Sequence, residues 1–324
     1  MSFASLHRRI ALAATFAAAL GVSSATFAQT NWKPDRQVTI VVPYSPGGGT
    51  DAQARAVARE LQRIWGQPVI VDNTAGADGL IGTHKVAESK PDGHTLLVQL
   101  PSLTLLKHVP GFKGVDPVQQ LVPVSAFSAL PGIFVANAKL PVKNMAELTR
   151  YCKTQLCTFG TTENIARLQG QMWKAENGLD SLVIVNYKGG GQLITDLVAN
   201  NVNVGIMGLT AVLPHYKSGT IRILATAGKK RSVVTPEVPS ALEAGVPGFE
   251  ETTWYGVFAP KNTPPDVVQG IAAAIREAVK ADEVKKAFAV LGSEPIGNSP
   301  AEFAAMVREQ SEHVGALVKR FPLE

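Results

Sequence analysis

The sequence predicts an α/β protein of two domains with mainly parallel sheets. Apolar, strand-like runs alternate with helix-like segments along most of the chain, and this alternation is typical of parallel sheets. The chain has 324 residues, which is more than one hydrophobic core usually supports. We expect a discontinuous first domain of residues 29–130 and 253–324, an inserted second domain of residues 131–252, and a ligand cleft between them.

The predicted strands and helices follow one another in regular order. Strands are predicted near residues 38–43, 68–72, 95–99, 122–127, 132–136, 157–160, 182–186, 202–207, 221–226 and 254–259. Helices are predicted between most of them, for example over residues 51–65, 145–153, 166–177, 190–200 and 265–281. Several of these helices begin with a proline or a polar cap, which are signals of a helix N-terminus.

The first 28 residues are interpreted as a signal peptide. Arg8 and Arg9 precede an apolar stretch from Ile10 to Val22, and small residues then lead to Ala28. This order of charged, apolar and small residues is typical of secretory signals, and the apolar stretch is shorter than the roughly 20 residues of a membrane-spanning helix. We expect cleavage after Ala28 and export to the periplasm.

The segment from Val38 to Asn73 predicts a site for an anion. The first apolar strand stops at Pro43, and a turn containing Ser45, Gly47, Gly48, Gly49, Thr50 and Asp51 leads into an alanine-rich helix. Such a turn leaves backbone N–H groups at the helix N-terminus, where hydrogen bonds and the helix dipole favour negative charge. A plain tight turn is the alternative interpretation.

Two side chains near this turn have their own predicted roles. Tyr44 offers a ring and a hydroxyl to a ligand, although a tyrosine at a strand end can also be part of the core. Asp51 is not expected to face an anion directly, so we interpret it as a helix-start residue that caps N–H groups or fixes the loop. Arg55 lies four residues further on and can pair with Asp51.

Composition and motifs argue against nucleic-acid binding, metal binding and several classes of enzyme. The net charge is +5 and the basic residues are spread along the chain, so no nucleic-acid footprint is seen. None of the six histidines has the spacing of a metal site. The motifs of serine hydrolases, zinc proteases, phosphate loops and dinucleotide-binding folds are missing. We therefore expect no metal, no cofactor and no enzyme activity.

The two cysteines leave alternatives open. Cys152 and Cys157 lie five residues apart, and export would permit a disulfide. The Cα separation that a disulfide needs cannot be obtained from sequence alone. Both a disulfide and free thiols remain possible interpretations, and a zinc site is not expected from two sulfurs without a neighbouring histidine.

Several blocks of sequence, taken together, resemble the Bug-type (TctC-like) solute receptors of tripartite tricarboxylate transporters. The blocks lie at residues 42–51, 71–73, 76–82, 90–97, 186–191, 213–215, 238–240, 254–260 and 291–295, in the order of the family. They cover essentially the whole chain after the predicted signal. The resemblance implies a type II-like periplasmic binding protein whose two α/β domains close on a small carboxylate.

The resemblance also implies which residues form the site and which partners use it. In this family, backbone N–H groups and ordered waters from one loop of each domain hold the carboxylate. The predicted ligand-binding residues are Tyr44, Ser45, Gly47, Gly48, Gly49, Thr50, Asp51, Ser102, Thr161, Thr162, Asn164, Lys188, Gly189, Gly190 and Thr210. The expected partner is a transporter permease, with a sensor kinase as the alternative and an exported enzyme on the same fold as a weaker one. A monomer is expected.

Three departures from the family pattern concern the ligand. The loop at residues 160–167 looks shorter than usual, and Arg167 stands where a histidine is common. Residues 99–103 and 207–210 replace polar residues with apolar ones at places expected to line the cleft. These changes suggest a carboxylate with an aromatic or short aliphatic tail, unless the loops pack elsewhere and leave specificity unchanged.

Overall fold

The computed structural model of the protein covers most of the chain after the predicted signal. It describes residues 32–162, 164–187, 190–228, 230–232, 235–246, 248–249 and 253–323, with the side chains of Asp78 and Thr210 outside the description. The predicted signal peptide and its cleavage site therefore lie outside the described residues.

Eleven strands and nine helices are found in the described part of the chain. The strands are β1 (Val38–Val42), β2 (Val69–Asn73), β3 (Thr95–Gln99), β4 (Leu121–Leu130), β5 (Gly132–Asn137), β6 (Cys157–Thr161), β7 (Leu182–Asn186), β8 (Val204–Gly208), β9 (Ile221–Thr226), β10 (Thr253–Pro260) and β11 (Glu294–Pro295). The helices are α1 (Gly49–Trp65), α2 (Leu80–Ala87), α3 (Met145–Thr154), α4 (Asn164–Asn177), α5 (Gly190–Ala199), α6 (Leu209–Lys217), α7 (Pro265–Ala278), α8 (Asp282–Val290) and α9 (Pro300–Arg320). Short 3-10 helices occupy Ala77–Gly79, Pro101–His108 and Pro117–Gln120. Within the described residues, no helix has the length and apolar character needed to cross a membrane.

Sheet A contains six strands in the order β11-β4-β10-β3-β1-β2. β1 pairs in parallel with β2 and β3. β10 lies between β3 and β4 and is antiparallel to both, and β11 is antiparallel to β4. Strands from the beginning and from the last third of the chain therefore complete one sheet.

Sheet B contains five strands in the order β7-β6-β8-β5-β9. β6 is parallel to β7 and β8, whereas β5 is antiparallel to β8 and β9. β4 of sheet A continues into β5 of sheet B through the single residue Pro131. The chain thus passes directly from one sheet to the other at the first predicted crossing, and residues 250–252 of the second crossing lie outside the described residues.

The α/β class and the organisation around two sheets are confirmed, but the expectation of mainly parallel sheets is wrong. Among the described strands, four of the nine pairings are parallel and five are antiparallel. Every antiparallel pairing includes β4, β5 or β10, which are the strands next to the two crossings between the sheets. A parallel pair needs a crossover connection that returns the chain to the same end of the sheet, and a strand that enters from the other sheet arrives without one.

Helices cover both faces of each sheet, which gives four apolar clusters. On sheet A, α1, α7 and α8 pack on one face, and α2 and the first half of α9 pack on the other. On sheet B, α3 and α4 cover one face, and α5 and α6 cover the other. This layered arrangement buries the apolar face of each element, which is the main driving force for the fold.

The last helix, α9, is shared between the two sheets. Phe303 and Val307 are buried in a cluster with strands of sheet A, and Val314 and Leu317 are buried in a cluster with strands of sheet B. The predicted domain boundaries assigned all of residues 253–324 to the first domain. The second half of α9 packs in the cluster of sheet B, and the domain boundaries themselves stay a prediction.

Cys152 and Cys157 form a disulfide, with a Cα separation of 5.1 Å. Both residues are fully buried in the cluster that α3 and α4 make with sheet B. The disulfide joins the end of α3 to the start of β6. Of the two interpretations left open by the sequence, the structure has the disulfide.

Candidate functional site

The candidate site lies where the segments after three strands meet. Tyr44 follows β1, the 3-10 helix Pro101–His108 follows β3, and Thr162 follows β6 just before α4. β1 and β3 belong to sheet A and β6 belongs to sheet B. In α/β folds, ligands bind in crevices at the carboxyl ends of strands. These three segments therefore mark the expected position of a ligand between the two sheets.

The first cavity, called here the tyrosine cavity, has a volume of about 210 Å³. It is lined by Tyr44, Leu100, Pro101, Ser102, Leu105, Leu106, Val109, Thr162, Asn164 and Ile165. Four of these residues, Tyr44, Ser102, Thr162 and Asn164, were predicted from the sequence as ligand contacts. The structure brings them together from both sheets. The other six are apolar, so the cavity combines a polar group of side chains with an apolar wall.

Hydrogen bonds fix the polar side of the tyrosine cavity. The Tyr44 hydroxyl donates to Gln99 Oε1 at 2.7 Å and lies 3.0 Å from Ser102 Oγ. Gln99 is buried, and its Nε2 donates to the Thr83 hydroxyl at 3.1 Å. The same Oε1 accepts the N–H of Leu100 at 2.8 Å. Gln99 thus connects the end of β3 to Tyr44 and holds the phenol ring at the cavity wall.

Two helices begin at this cavity. Pro101 is the first residue of its 3-10 helix, and Asn164 is the first residue of α4. The first N–H groups of a helix have no partner within the helix, and the dipole there is positive. Pro101 has no N–H and the Leu103 N–H donates to the Leu100 carbonyl at 3.0 Å, so the 3-10 helix offers the Ser102 N–H to an anion. The start of α4 offers a second set of donors.

The loop between β1 and α1 is held by Asp51, as the sequence analysis predicted. Asp51 is 4% exposed, and its carboxylate accepts the N–H of Gly47 at 2.9 Å and the Nε of Arg55 at 3.0 Å. Asn73 Nδ2 donates both to this carboxylate, at 3.0 Å, and to the Tyr44 carbonyl, at 3.1 Å. The predicted pairing of Asp51 with Arg55 is confirmed. One carboxylate thereby joins the loop, α1 and the end of β2.

These contacts change the titration of Asp51. Burial alone would raise the pKa of the carboxyl group, but the hydrogen bonds from its three donors outweigh burial and hold the pKa below its ordinary value. The Arg55 guanidinium adds a favourable charge interaction. The group is therefore ionised at neutral pH and serves the loop as an acceptor.

The glycines of the loop lie beside the tyrosine cavity and do not line it. Residues 45–49 are exposed, and Gly47 has a φ of 83°, a left-handed conformation that glycine adopts without strain. Gly48 is the N-cap of α1 and has no side chain to cap it. Thr50 is buried in the first turn. The N-terminus of α1 is therefore open to an anion, but none of residues 45–51 lines the tyrosine cavity.

A second cavity, called here the glutamine cavity, adjoins the first and has a volume of about 90 Å³. It is lined by Pro101, Leu130, Pro131, Gly132, Thr161, Thr162, Ile165, Ala166, Gln169, Ile206, Met207, Gly208, Ala227, Thr253 and Gln310. It shares Pro101, Thr162 and Ile165 with the tyrosine cavity. Its walls come from the β4–β5 crossing, from sheet B and from α9.

Two glutamines face this second cavity from different helices. Gln169 of α4 donates its Nε2 to the Gly248 carbonyl at 2.9 Å. Gln310 of α9 is 4% exposed, and its buried Nε2 has no hydrogen-bond partner among the described residues. A buried donor without a partner is unusual in folded proteins.

The remaining predicted residues lie on the sheet B side. Gly190 begins α5, and a Cβ atom placed on it would lie 3.6 Å from Met207 Cε, a side chain of the glutamine cavity. Thr210 lies in the first turn of α6, and its side chain is outside the description. Lys188 and Gly189 fall outside the described residues.

Tyr187 links the end of β6 to α5. Its N–H donates to the Thr161 carbonyl at 2.7 Å, and its hydroxyl donates to Asp196 at 2.7 Å. Burial and this hydrogen bond raise the pKa of Tyr187 to about 12. The phenol is therefore protonated at neutral pH and connects the end of β7 to α5.

Sequence reasoning missed Leu105, Leu106, Val109, Gln169 and Gln310 as lining residues. A signal for the first three was present, because a proline directly after a strand is favoured at the first position of a helix. Pro101 holds that position in the 3-10 helix. No local signal points to Gln310, which reaches the cavity from a helix distant in sequence. Among the described residues, no group of three metal-ligating side chains is found.

Comparisons with known proteins identify the family of the chain. A family profile described as "Tripartite tricarboxylate transporter family receptor" matches residues 53–323. Protein BugT of Bordetella pertussis is 33% identical over 324 residues, which cover 97% of each chain. A solved structure from R. palustris with adipate is 30% identical with a TM-score of 0.73, covering 88% of this chain and 97% of that one. MatC from Rhodopseudomonas palustris with bound malate is 28% identical with a TM-score of 0.69, covering 88% of this chain and 99% of that one. The chain therefore belongs to the tripartite tricarboxylate transporter receptor family and is a periplasmic solute receptor.

Proposed function

We propose that this receptor binds a small carboxylate with an apolar tail in the tyrosine cavity and delivers it to a tripartite tricarboxylate transporter permease. The observation that carries the proposal is the division of that cavity into two parts. Tyr44, Ser102, Thr162 and Asn164 supply polar groups, whereas Leu100, Pro101, Leu105, Leu106, Val109 and Ile165 supply an apolar wall. The relatives with adipate and with malate support a carboxylate as the head group.

The polar part can hold a carboxylate without a cationic side chain. Hydrogen bonds to a charged group contribute about 1.5–3 kcal/mol each, and a helix N-terminus adds about 0.3–1 kcal/mol. Donors come from the Thr162 hydroxyl and from the starts of two helices, whereas the Ser102 hydroxyl donates to the Tyr44 oxygen. Two or three such bonds supply micromolar affinity, about 8 kcal/mol, after ordering costs are subtracted.

The apolar wall favours a tail over a second charged group. Burial of apolar surface contributes about 25 cal/mol per Å², so a tail that loses about 100 Å² to this wall gains about 2.5 kcal/mol. A carboxylate placed against the same wall would lose its hydration without gaining partners. We therefore propose a benzoate-like or short aliphatic acid as the ligand class.

The rest of the proposed function concerns processing and assembly. We propose that the signal is cleaved after Ala28, that the mature receptor is a monomer without enzyme activity, and that closure of its two domains on the ligand is what the permease recognises. Ligand contacts from both sheets would favour the closed form, because only differential affinity shifts a conformational equilibrium. N-terminal sequencing of the exported protein tests the cleavage site. The mass of the native protein in solution tests whether it is a monomer.

A thermal-shift screen tests the ligand class. Residues 29–324 are screened free of carried-over ligand against benzoate, hexanoate, adipate, malate and citrate. A ligand at about 100 times its Kd adds ~2.7 kcal/mol of stability and raises the midpoint by about 5 °C. We expect benzoate or hexanoate to give the larger shifts. Shifts from malate and citrate alone would contradict the apolar tail, and no shift from any acid would contradict carboxylate binding.

The variant Tyr44→Phe tests the location of the site. Loss of the hydroxyl removes the donor to Gln99 and a neighbour of Ser102, so affinity for the best acid should fall about fivefold or more. Tyr216→Phe is the matched control, because Tyr216 lines neither of the two cavities. Equal affinities of both variants and the unmodified receptor would place the ligand elsewhere.

A further inference from the structure

Gln310 is a buried amide with an unused donor at the wall of a cavity. It is 4% exposed, its Nε2 has no partner among the described residues, and it lines the glutamine cavity together with Thr161, Thr162, Gln169 and Thr253. A donor left unpaired in the interior is costly. A water or a ligand oxygen in the neighbouring cavity is one way to complete it.

The glutamine cavity is continuous with the proposed ligand site. Pro101, Thr162 and Ile165 line both cavities, so a ligand held beside Tyr44 needs only a short extension to reach the second space. With a volume of about 90 Å³, this space holds a few atoms of a ligand or a small number of waters. Its described polar groups are amides and hydroxyls, which pair well with a neutral oxygen.

We propose that the glutamine cavity is a second polar subsite, in which Gln310 binds a neutral oxygen, such as a hydroxyl or a keto group, on the distal part of the carboxylate ligand. This inference rests on the proposed function. It adds a residue from α9 to the site, and it adds an oxygen substituent to the chemistry of the ligand. Since α9 packs on both sheets, the contact ties the ligand to an element that both sheets share.

Two pairs of acids test the subsite by calorimetric titration. Hexanoate is compared with 6-hydroxyhexanoate, and benzoate with 3-hydroxybenzoate, so that each pair differs by one hydroxyl. A hydroxyl can accept from Nε2 or donate to Oε1, so the test does not depend on the orientation of the amide. In the unmodified receptor, we expect at least one hydroxylated acid to bind about fivefold or more tightly than its partner.

The variant Gln310→Leu should remove this preference and leave the affinity for the unsubstituted acid unchanged or higher. If Gln310→Leu fails to fold, Gln310→Met serves the same purpose with a flexible side chain of similar length. Gln53→Leu is the matched control. Gln53 is also a buried glutamine, 1% exposed, whose Nε2 has no partner among the described residues, and it lines neither of the two cavities.

The outcomes separate this inference from the proposed function. Loss of the hydroxyl preference in the Gln310 variant and its persistence in the Gln53 variant would support the subsite. Binding of the acids without any hydroxyl preference, or a preference that survives Gln310→Leu, would overturn the subsite while leaving carboxylate binding intact. If no acid binds, the proposed function itself fails.

Discussion

The Asp51 carboxylate holds the loop between β1 and α1 in place, although its side chain does not line the tyrosine cavity. It lies three residues after the N-cap of α1 and reaches back to the N–H of Gly47. The same carboxylate is bound by Arg55 and Asn73, and Asn73 also reaches the Tyr44 carbonyl. The loop keeps its shape because these donors converge on one charge, so we assign Asp51 a positioning role.

We predict that Asp51→Asn lowers the free energy of unfolding by about 2 kcal/mol at pH 7, because it weakens charge-assisted hydrogen bonds. The pKa of Asp51 is depressed in the folded state. Its contribution is therefore present above the unfolded value of about 3.9 and is lost as the pH falls through the folded pKa. Urea unfolding between pH 3 and pH 7 should show the difference between the two proteins shrinking below about pH 4.

The control for this prediction is Asp282→Asn. The Asp282 side chain is 85% exposed and lies 3.7 Å from Lys285, so the change should stay within about 0.5 kcal/mol. A difference between Asp51→Asn and the unmodified protein that stays constant down to pH 3 would argue against the ionised carboxylate as the cause.

At the scale of elements, α2 packs so closely against the first strand that it helps to set the position of the binding loop. A Cβ atom on Gly82 would lie 2.8 Å from Pro43 Cβ and 2.8 Å from the Thr74 carbonyl oxygen. Pro43 directly precedes Tyr44, whose ring lines the tyrosine cavity. The absence of a side chain at Gly82 therefore allows α2 to contact Pro43, the residue next to Tyr44.

We predict that Gly82→Ala destabilises the fold by about 1–3 kcal/mol, because backbone atoms must move to admit the methyl group. The shift should also weaken carboxylate binding. Gly315→Ala is the matched control, since Gly315 lies within α9 and a Cβ there meets no atom within 4 Å. That change should stabilise the protein by about 0.5–1 kcal/mol. Chemical denaturation and ligand titration of both variants provide the measurements. Full stability and affinity of Gly82→Ala would contradict the proposed coupling.

Local patterns predicted the elements well, and long-range contacts account for what they missed. The strand, turn and helix around Pro43 and the Asp51–Arg55 pair were predicted because hydrophobic period, glycine turns and i,i+4 spacing are local signals. The 3-10 helix at Pro101–His108 is not predicted, because eight residues of mixed character give only a weak hydrophobic period. The antiparallel strand pairings and the position of Gln310 at the cavity depend on contacts between segments distant in sequence. Local periodicity carries no information about such contacts.

At the scale of the whole molecule, α9 packs against both sheets and so provides a second connection between them besides the β4–β5 crossing at Pro131. Its first half is buried against sheet A and its second half against sheet B. A helix held at both ends in this way couples the stability of the two sheets. It also sets a limit on how far the sheets can separate while the helix stays packed.

We predict that Leu317→Ala lowers stability by about 2–4 kcal/mol and keeps a single unfolding transition. Leu317 is 4% exposed, so the loss combines apolar transfer with an internal cavity, and α9 transmits it to sheet A. Differential scanning calorimetry distinguishes one transition from two. Val290→Ala, at a side chain that is 74% exposed, should change stability by less than about 0.5 kcal/mol. Two resolved transitions in Leu317→Ala would show that the helix does not couple the sheets.

The position of β10 between β3 and β4 bears on biosynthesis. β4 cannot be joined to β3 in sheet A until Thr253–Pro260 has been made, because β10 supplies the edge to which both strands bind. Pairing between segments so far apart in sequence is slow to form. A nascent chain of this topology therefore stays without a finished sheet until most of its length has left the ribosome. For a protein of the periplasm, this order of synthesis means that the chain is nearly complete before its first sheet can close.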